Sequence, residues 1–263
     1  MTPDHVALPP VIGHRGAAGR APENTLAALR RAHELGCAWV EFDVRLSGDG
    51  ALVLCHDPTL ERTTNGTGPV AAQPLAALRQ LDAGGWFAPE FAGERVPTLA
   101  EALALCADLS LVADIEVKAE RGREYATAAA VAAALRRPGA RLPALLVSSF
   151  ALPALAALRA LAPRVPLGVL FRQVPRDWRE VARRFGCVTL GADQRRLTAG
   201  RAAAIRAAGY PLAAYTVNDP ARARLLYASG VTSVFSDAPD IILRENAGHR
   251  AARPAPLREA VLR

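Results

Sequence analysis

The sequence predicts an α/β protein folded as a TIM-type (β/α)8 barrel with a small insertion after the second strand. Short apolar segments of strand character alternate with longer Ala-, Leu- and Arg-rich segments of helical period, and this pair occurs eight times. Such alternation is typical of parallel strands joined by crossover helices. Eight repeats within 263 residues favour closure into a barrel over an open, doubly wound sheet.

The predicted elements have recognisable boundaries. Gly36, Gly186, Gly209 and Gly230 follow the first, fifth, sixth and seventh predicted helices, where glycine commonly ends a helix. The predicted strands are residues 10–13, 38–43, 111–117, 144–149, 166–170, 187–190, 212–216 and 232–235. The predicted helices are residues 25–35, 99–107, 124–135, 152–161, 176–184, 199–208, 220–228 and 239–244.

One interval interrupts the alternation. Residues 46–97 separate the second strand from the second helix, which is far longer than a usual βα loop. They contain a β-like segment at residues 51–55, the stretch TTNGTG and the aromatic stretch WFAPEFAGERVP. We expect residues 1–263 to form a single barrel domain, in which residues 46–97 are an ordered insertion that caps the active-site face.

The composition favours an enzyme that acts on a small molecule. The net charge is +7, but the arginines are scattered and aromatic residues make up only 5 %, so we expect no nucleic-acid partner. No apolar segment reaches the roughly 18 residues that a membrane span requires. The first ten residues lack signal-peptide features and the four cysteines form no C-x-x-C pair, which predicts a cytoplasmic protein. Composition leaves monomer and homo-oligomer equally open.

Residues at the carboxyl ends of the strands are the candidates for chemistry, because a parallel barrel has its active site there. His14 and Arg15 follow the first strand between two glycines. Glu23 and Asn24 come shortly afterwards, before the first helix. A structural role is as probable for each of them alone, and Asn24 in particular could be the N-cap of that helix.

Three carboxylates are predicted to meet at the barrel mouth. Glu41 and Asp43 are two residues apart on the second strand, so they share a face, and the same holds for Glu116 and Lys118 on the third. Lys118 is the only lysine of the chain, which suggests a position that requires a compact ammonium group. Three carboxylates beside one lysine leave excess negative charge. That composition suits a divalent cation with oxygen ligands, Mg²⁺ or Ca²⁺.

Two histidines flank this predicted cation site. His14 ends the first strand, and His56 follows the β-like segment of the insertion. Two imidazoles beside one phosphorus can act as general acid and general base. They could instead be zinc ligands, but no H-x-H pair lies on a strand. Phe150 and Tyr215, at the ends of the fourth and seventh predicted strands, could form a substrate wall or simply pack in the core.

The motifs as a set resemble the glycerophosphodiester phosphodiesterase family, in its compact bacterial cytosolic form. The stretches that carry the resemblance are GHRGAAGRAPENTLAAL, VEFDVRLSGDGALVLCHDPTLERTTNGTG, GERVPTLAEAL, IEVK, YTVN and SDAPDII. The chain differs from the family where Tyr215 replaces a frequent Trp and where Gly191, Ala192, Asp193 and Gln194 replace polar residues of near relatives. The second difference bears on the headgroup preference.

The resemblance implies a barrel that hydrolyses sn-glycero-3-phosphodiesters to sn-glycerol 3-phosphate and an alcohol. It implies a divalent ion on Glu41, Asp43 and Glu116, with His14 and His56 as acid and base. It also implies that Arg15 and Lys118 hold the phosphate and that Glu23 and Asn24 support them. A lysophospholipase-D-like or cyclising activity on the same barrel is the alternative, and a catalytically silent binding barrel is a third hypothesis.

Overall fold

The computed structural model describes residues 6–246, and it contains the predicted barrel. Eight parallel strands close on themselves because β1 is hydrogen-bonded to both β9 and β2. The strands are β1 Val11–Gly13, β2 Trp39–Leu46, β3 Leu52–Leu54, β4 Val112–Val117, β5 Leu145–Ser149, β6 Leu167–Phe171, β7 Cys187–Asp193, β8 Leu212–Tyr215 and β9 Ser233–Ser236. The additional strand, β3, is antiparallel to β2 and lies outside the closed ring.

A helix precedes each barrel strand after β1. The helices are α1 Leu26–Glu34, α2 Leu75–Leu78, α3 Leu99–Asp108, α4 Glu124–Leu135, α5 Leu152–Leu161, α6 Trp178–Arg184, α7 Ala199–Ala207, α8 Pro220–Ala228 and α9 Pro239–Asn246. Of these, α2 lies within the insertion and α9 follows the last strand. Short 3-10 turns occur at Val70–Ala72 and Pro89–Phe91. Several helices begin at a side-chain cap that the sequence contains, such as Thr98, which forms a reciprocal capping box with Glu101 at the start of α3.

Two strands are longer than the sequence pattern predicted. The prediction ended the second strand at residue 43, but β2 continues to Leu46 because its last residues pair with β3, with Leu46 opposite Leu52. Arg45 made this extension hard to predict, since a charged residue normally argues against a buried strand. Its guanidinium is satisfied by hydrogen bonds to the carbonyl oxygen of His56. Similarly, β7 extends to Asp193 because that residue pairs with Tyr215 of β8.

The barrel interior is apolar at one end and polar at the other. Trp39 belongs to the interior cluster that also contains Ile12 and Phe235. Because alternate residues of a strand share a face, Glu41 and Asp43 point to the same side as Trp39, toward the barrel axis. The larger core fills the layer between the outer faces of the strands and the helices. The ionisable side chains are therefore gathered above an apolar floor.

The insertion between β2 and α3 has a small core of its own. Its buried residues are Val53, Cys55, Leu60, Val70, Leu78, Ala83 and Val96. The backbone N–H of Cys55 donates to the carbonyl oxygen of Asp43, which connects the insertion to the barrel, and the N–H of Leu54 donates to the carbonyl oxygen of Pro97 within the insertion. Within residues 6–246 no helix is both long enough and apolar enough to cross a membrane.

Candidate active site

The polar end of the barrel opens into a pocket of about 590 Å³. Eight of the predicted site residues line it: His14, Arg15, Glu41, His56, Glu116, Lys118, Phe150 and Tyr215. Glu23, Asn24 and Asp43 lie immediately behind that wall, where they contact Arg15, Asp43 and Lys118, respectively. The structure thus brings all the predicted residues to one place.

Three buried carboxylates form the base of the pocket. Strands β2 and β4 pair so that Asp43 lies opposite Glu116. Glu41 is two residues before Asp43 on β2 and therefore lies deeper in the barrel on the same face. One carboxylate oxygen from each of Glu41, Asp43 and Glu116 lies within 4.8 Å of the others. Two oxygens that share one ion at roughly 2.0–2.6 Å can be separated by at most roughly 4–5 Å. The spacing is therefore compatible with a common divalent ion.

The pKa values of these carboxyl groups show that the cluster does not readily hold three negative charges. Burial and the neighbouring carboxylates raise the pKa of Glu41, while burial and the charge of Asp43 raise that of Glu116 to about 7. Burial also opposes ionisation of Asp43, but Lys118 and Arg15 outweigh it and lower the pKa of Asp43 to about 2. Full ionisation of the cluster requires additional positive charge.

An unsatisfied oxygen supports a cation in this place. Oε1 of Glu41 is buried and accepts no hydrogen bond from any residue between 6 and 246. A buried carboxylate oxygen without a partner costs free energy unless an ion or a solvent molecule compensates it. Three carboxylates and no sulfur ligand form a hard-oxygen donor set, so the residues present fit a divalent cation such as Mg²⁺ or Ca²⁺.

Two cations border the carboxylates. Nζ of Lys118 lies 2.5 Å from Oε1 of Glu116 and 3.2 Å from Oδ1 of Asp43. Arg15 is 2.7 Å from Glu23 through Nη1 and 3.3 Å from Asp43 through Nε. Burial lowers the pKa of Lys118, but its two carboxylate neighbours outweigh burial and raise it above the ordinary value. Both side chains therefore remain charged beside the pocket.

The turn after β1 is held in an unusual backbone conformation. Arg15 and Asn24 have φ values of 51° and 58°, in the left-handed region that most residues avoid. The backbone N–H of Arg15 donates to Glu41, and that of Asn24 donates to the carbonyl oxygen of Arg15. The Asn24 side chain donates to Oδ2 of Asp43 and accepts from the N–H of Asp43. Asn24 therefore orients Asp43, and Thr25 is the N-cap of α1.

His14 is oriented by a residue from the other end of the chain. Its Nδ1 lies 2.6 Å from Oδ1 of Asp237, which directly follows β9. Asn218 holds this carboxylate by donating to Oδ2 at 2.7 Å, and Asn218 also accepts from the Asp237 N–H. Burial raises the pKa of Asp237, but the His14 hydrogen bond and charge outweigh it. With Nδ1 occupied, Nε2 of His14 is the nitrogen that faces Glu41, at 3.9 Å.

His56 has a similar arrangement with a different counterion. Its Nδ1 lies 2.6 Å from Oδ1 of the adjacent Asp57, and Arg62 donates to Oδ2 of the same carboxylate. Arg62 also forms two hydrogen bonds to Glu23, at 2.7 and 2.9 Å, so the insertion is joined to the loop after β1. Burial lowers the pKa of His56, and Lys118 adds to that effect. These conditions favour the neutral imidazole.

Four residues of the site were absent from the sequence prediction: Asp57, Arg62, Asn218 and Asp237. Asp57 was the easiest to find, because it immediately follows His56. Asp237 is 223 residues from His14, and no local pattern relates the two positions. Only the closure of the barrel, which places β9 next to β1, brings them into contact.

The two predicted aromatic residues form the opposite part of the pocket. The rings of Phe150 and Tyr215 meet edge to face with centroids 5.6 Å apart. Nζ of Lys118 lies 5.5 Å from the Phe150 centroid, and the hydroxyl of Tyr215 donates to the carbonyl oxygen of Phe171. Both rings line the pocket and are only partly buried, and Tyr215 also packs against the interior apolar cluster that contains Ile12.

The fold and site define a class, the (β/α)8-barrel proteins with an acidic site at the barrel mouth. Comparison with known proteins agrees, because a model of the glycerophosphoryl diester phosphodiesterase family matches residues 14–241. The chain belongs to this family and is a glycerophosphodiester phosphodiesterase.

Relatives of known sequence and structure support this membership. A glycerophosphodiester phosphodiesterase of Bacillus subtilis is 30 % identical over 279 residues, which cover 95 % of this chain and 89 % of the relative. A relative from Caldanaerobacter subterraneus is 50 % identical over 108 residues, 41 % of this chain and 44 % of that protein.

The solved structures include close matches to the whole barrel. An Oleispira antarctica phosphodiesterase, solved in complex with the product sn-glycerol-3-phosphate, has a TM-score of 0.87 and 41 % identity. The match covers 90 % of this chain and 96 % of that one. A glycerophosphodiester phosphodiesterase from Agrobacterium tumefaciens has a TM-score of 0.75 and 33 % identity, over 90 % and 100 % of the two chains.

Proposed function

We propose that this protein hydrolyses sn-glycero-3-phosphodiesters to sn-glycerol 3-phosphate and the corresponding alcohol, and that the reaction depends on a divalent ion. The observation that carries the proposal is the group of three carboxylate oxygens within 4.8 Å of one another, beside two histidines. The product bound to the Oleispira antarctica relative agrees with this substrate class.

Glu41, Asp43 and Glu116 are the proposed ligands of the ion, Mg²⁺ or Ca²⁺. When bound, such an ion neutralises phosphate charge and lowers the pKa of a coordinated hydroxyl group. Asn24 keeps Asp43 in position through two hydrogen bonds. Glu23 receives hydrogen bonds from Arg15 and Arg62, so it holds the Arg15 guanidinium at the edge of the pocket.

Arg15 and Lys118 are the proposed phosphate ligands. Both are cations that line the pocket next to the carboxylates. Nε of Arg15 is buried and forms an ion pair with Asp43 but no hydrogen bond within the described part of the chain. A nonbridging phosphate oxygen would supply a charged acceptor for both cations, and Arg15 still has a donor without a hydrogen-bond partner. Both groups would also stabilise the charge that develops on those oxygens in the transition state.

His14 and His56 are the proposed acid and base. One imidazole Nε2 removes the proton from the attacking hydroxyl group, which belongs either to water or to the neighbouring glycerol hydroxyl. In the second case a cyclic phosphate forms, and a water molecule must then attack it and break one ring P–O bond to give glycerol 3-phosphate. The other Nε2 donates a proton to the oxygen of the departing alcohol as the P–O bond breaks. In each histidine, the hydrogen bond from Nδ1 to a carboxylate keeps Nε2 available for this exchange.

Phe150 and Tyr215 form the proposed wall against the carbon skeleton of the substrate, and residues 46–97 act as the cap over the pocket. His56, Asp57 and Pro58 of this insertion already line the pocket. We further propose a cytoplasmic location, which is supported by four free, buried cysteines. The proposed partner is the small-molecule substrate, without nucleic acid or membrane.

The direct test is the release of glycerol 3-phosphate from glycerophosphocholine and glycerophosphoethanolamine. We expect EDTA to abolish the release and added Mg²⁺ or Ca²⁺ to restore it. Lysophosphatidylcholine serves as the comparison substrate, since faster turnover of it would favour the lysophospholipase-D-like alternative. Undiminished activity in EDTA after dialysis would contradict the proposed role of the carboxylates.

The histidine variants test the chemistry more closely. His14→Ala and His56→Ala should each lower turnover by about 10²-fold or more, because each removes a proton-transfer group. His33→Ala is the matched control, since His33 is exposed on α1 and should leave turnover unchanged. Near-normal turnover in either site variant, with an unchanged circular dichroism spectrum, would exclude that histidine.

A further inference from the structure

The pocket has two unlike halves. The carboxylates, the histidines, Arg15 and Lys118 come from β1, β2 and β4 and from the insertion after β2. In the closed ring, β6 lies four strands from β1 and β7 lies four strands from β2. The residues that follow β6 and β7 are therefore opposite the reacting phosphate. Two of them, Arg172 and Arg196, line the pocket.

Both arginines lack a carboxylate partner within 4 Å in the described part of the chain. Neither Arg172 nor Arg196 forms an ion pair with any residue from 6 to 246, and both are exposed. The centroid of the Phe150 ring lies 5.9 Å from Cζ of Arg172 and 5.5 Å from Nζ of Lys118. The aromatic ring thus lies between the proposed phosphate ligand Lys118 and a second cation.

One acidic residue on this side does not neutralise them. Asp193 lines the same part of the pocket, but its Oδ1 accepts from the backbone N–H of Arg195 at 2.9 Å. Asp193 makes no ion pair with either pocket arginine at 4 Å or less within the described chain. The guanidinium groups of both arginines therefore have N–H donors available to bind a negatively charged ligand.

The loops that carry the arginines are anchored. The Tyr215 hydroxyl donates to the carbonyl oxygen of Phe171 at 2.7 Å, which holds the residue before Arg172. Arg222 of α8 donates to both the side chain and the carbonyl oxygen of Gln194, at 2.7 and 2.5 Å, which holds the loop that leads to Arg196. Anchored loops lower the entropic cost of binding to the two guanidinium groups.

From this arrangement we infer a second anion subsite, in which Arg172 and Arg196 bind a negatively charged group on the alcohol half of the diester. This inference rests on the proposed function and adds a substrate class to it. The glycerol half is uncharged, so a charge that faces these arginines belongs to the alcohol. The preferred substrates are glycerophosphodiesters whose headgroup bears a carboxylate or a phosphomonoester, and a cationic headgroup is disfavoured by repulsion.

The test uses glycerophosphodiesters with two-carbon headgroups that differ in charge: ethanolamine, ethylene glycol, glycolate and the phosphomonoester of ethylene glycol. The parent enzyme is compared with Arg172→Gln and Arg196→Gln, and the ratio of variant to parent kcat/KM for each substrate cancels the intrinsic reactivity of the leaving group. Arg195→Gln is the matched control, because Arg195 is an exposed neighbour in the same loop that does not line the pocket.

We expect each pocket variant to lower kcat/KM for the two anionic substrates by about five-fold, mainly through KM, as for loss of an exposed ion pair. The uncharged substrate should change by less than about two-fold, and the Arg195 variant should match the parent throughout. The advantage of anionic substrates should also shrink as salt is raised. The variants' decrease in kcat/KM is compared for the glycolate diester and the phosphomonoester diester. The substrate with the larger decrease carries the anion that the subsite prefers.

Equal effects on all four substrates, or none, would overturn the subsite. A parent enzyme that hydrolyses no diester would contradict the proposed function instead. In that event, calorimetric titration of the glycolate diester into the parent and the Arg172→Gln/Arg196→Gln double variant still decides the subsite. Binding that is at least about five-fold weaker in the double variant supports it, and equal binding refutes it.

Discussion

Replacing Glu116 by Gln should stabilise the metal-free protein at pH 8 and abolish its stabilisation by a divalent ion. Burial, together with the charge of Asp43, raises the pKa of Glu116 from 4.5 to about 7. The folded protein therefore retains a proton that the unfolded chain has already released. The free energy of unfolding consequently falls as the pH rises from about 4.5 to about 7, and it stays low above that range.

The size of the effect follows from the pKa difference. Each pKa unit corresponds to about 1.36 kcal/mol, so the ionised Glu116 destabilises the metal-free fold by roughly 3 kcal/mol above pH 7. Gln has nearly the same shape and no charge, and the pKa of about 7 already includes the favourable ion pair of ionised Glu116 with Lys118. We therefore expect a net gain of about 1–3 kcal/mol at pH 8 in EDTA.

Urea unfolding at pH 5 and pH 8, with EDTA or with Mg²⁺ or Ca²⁺, measures both parts of the prediction. Asp114→Asn is the control, because burial raises the pKa of Asp114 to about 7 while the Ser148 hydroxyl donates to its carboxylate. Asp114 lies outside the three-carboxylate group. This control should also reduce the pH dependence, but it should keep the stabilisation by the ion, about 2.7 kcal/mol at an ion concentration of 100 Kd.

Two results would refute the reasoning. If the Glu116→Gln protein in EDTA loses as much stability between pH 5 and pH 8 as the parent does, the charge argument is wrong. If a divalent ion stabilises the variant as strongly as the parent, Glu116 is not a ligand.

Three further substitutions test positions around the site. Asp237→Asn removes the charge that holds His14, so kcat should fall about ten-fold or more with little change in KM, and the pH profile of kcat should shift; an unchanged kcat would contradict a positioning role. Gly16→Ala should lower the free energy of unfolding by about 2 kcal/mol or more in urea, because φ is +87° and a Cβ atom would lie 2.5 Å from the backbone of Ala28; a stable variant would contradict this conflict. Thr98→Ala removes the cap of α3 and should cost about 1 kcal/mol in the same assay with kcat unchanged, whereas a fall in kcat would show coupling to the site.

Local pattern was sufficient for most of the fold. The alternation of strand and helix signals predicted every barrel strand within a few residues, because apolar periodicity reports directly on which face of an element is buried. The prediction was wrong at the ends of β2 and β7, where pairing with β3 and with β8 lengthens each strand. Those hydrogen bonds depend on the position of a neighbouring strand. The local sequence at the ends of β2 and β7 therefore does not predict them.

Some residues of the site were likewise predictable from local spacing, and others were not. Because side chains of a strand alternate between its two faces, the sequence placed Glu41 on the same face as Asp43. It placed Glu116 on the same face as Lys118 for the same reason. The partners of the histidines were less predictable. Asp57 is adjacent to His56 in the chain, but Asp237 reaches His14 only because β9 closes the barrel against β1.

The sequence by itself determined the barrel class, the three carboxylates and two histidines at the barrel mouth, and the family, since all of these depend on residue type and short-range spacing. Only the tertiary structure decided which carboxylate holds each imidazole, that Arg62 joins the insertion to Glu23, and that Arg172 and Arg196 line the same pocket as the carboxylates. The physical reason is that charges and hydrogen bonds act over a few ångströms of space, whatever the separation along the chain.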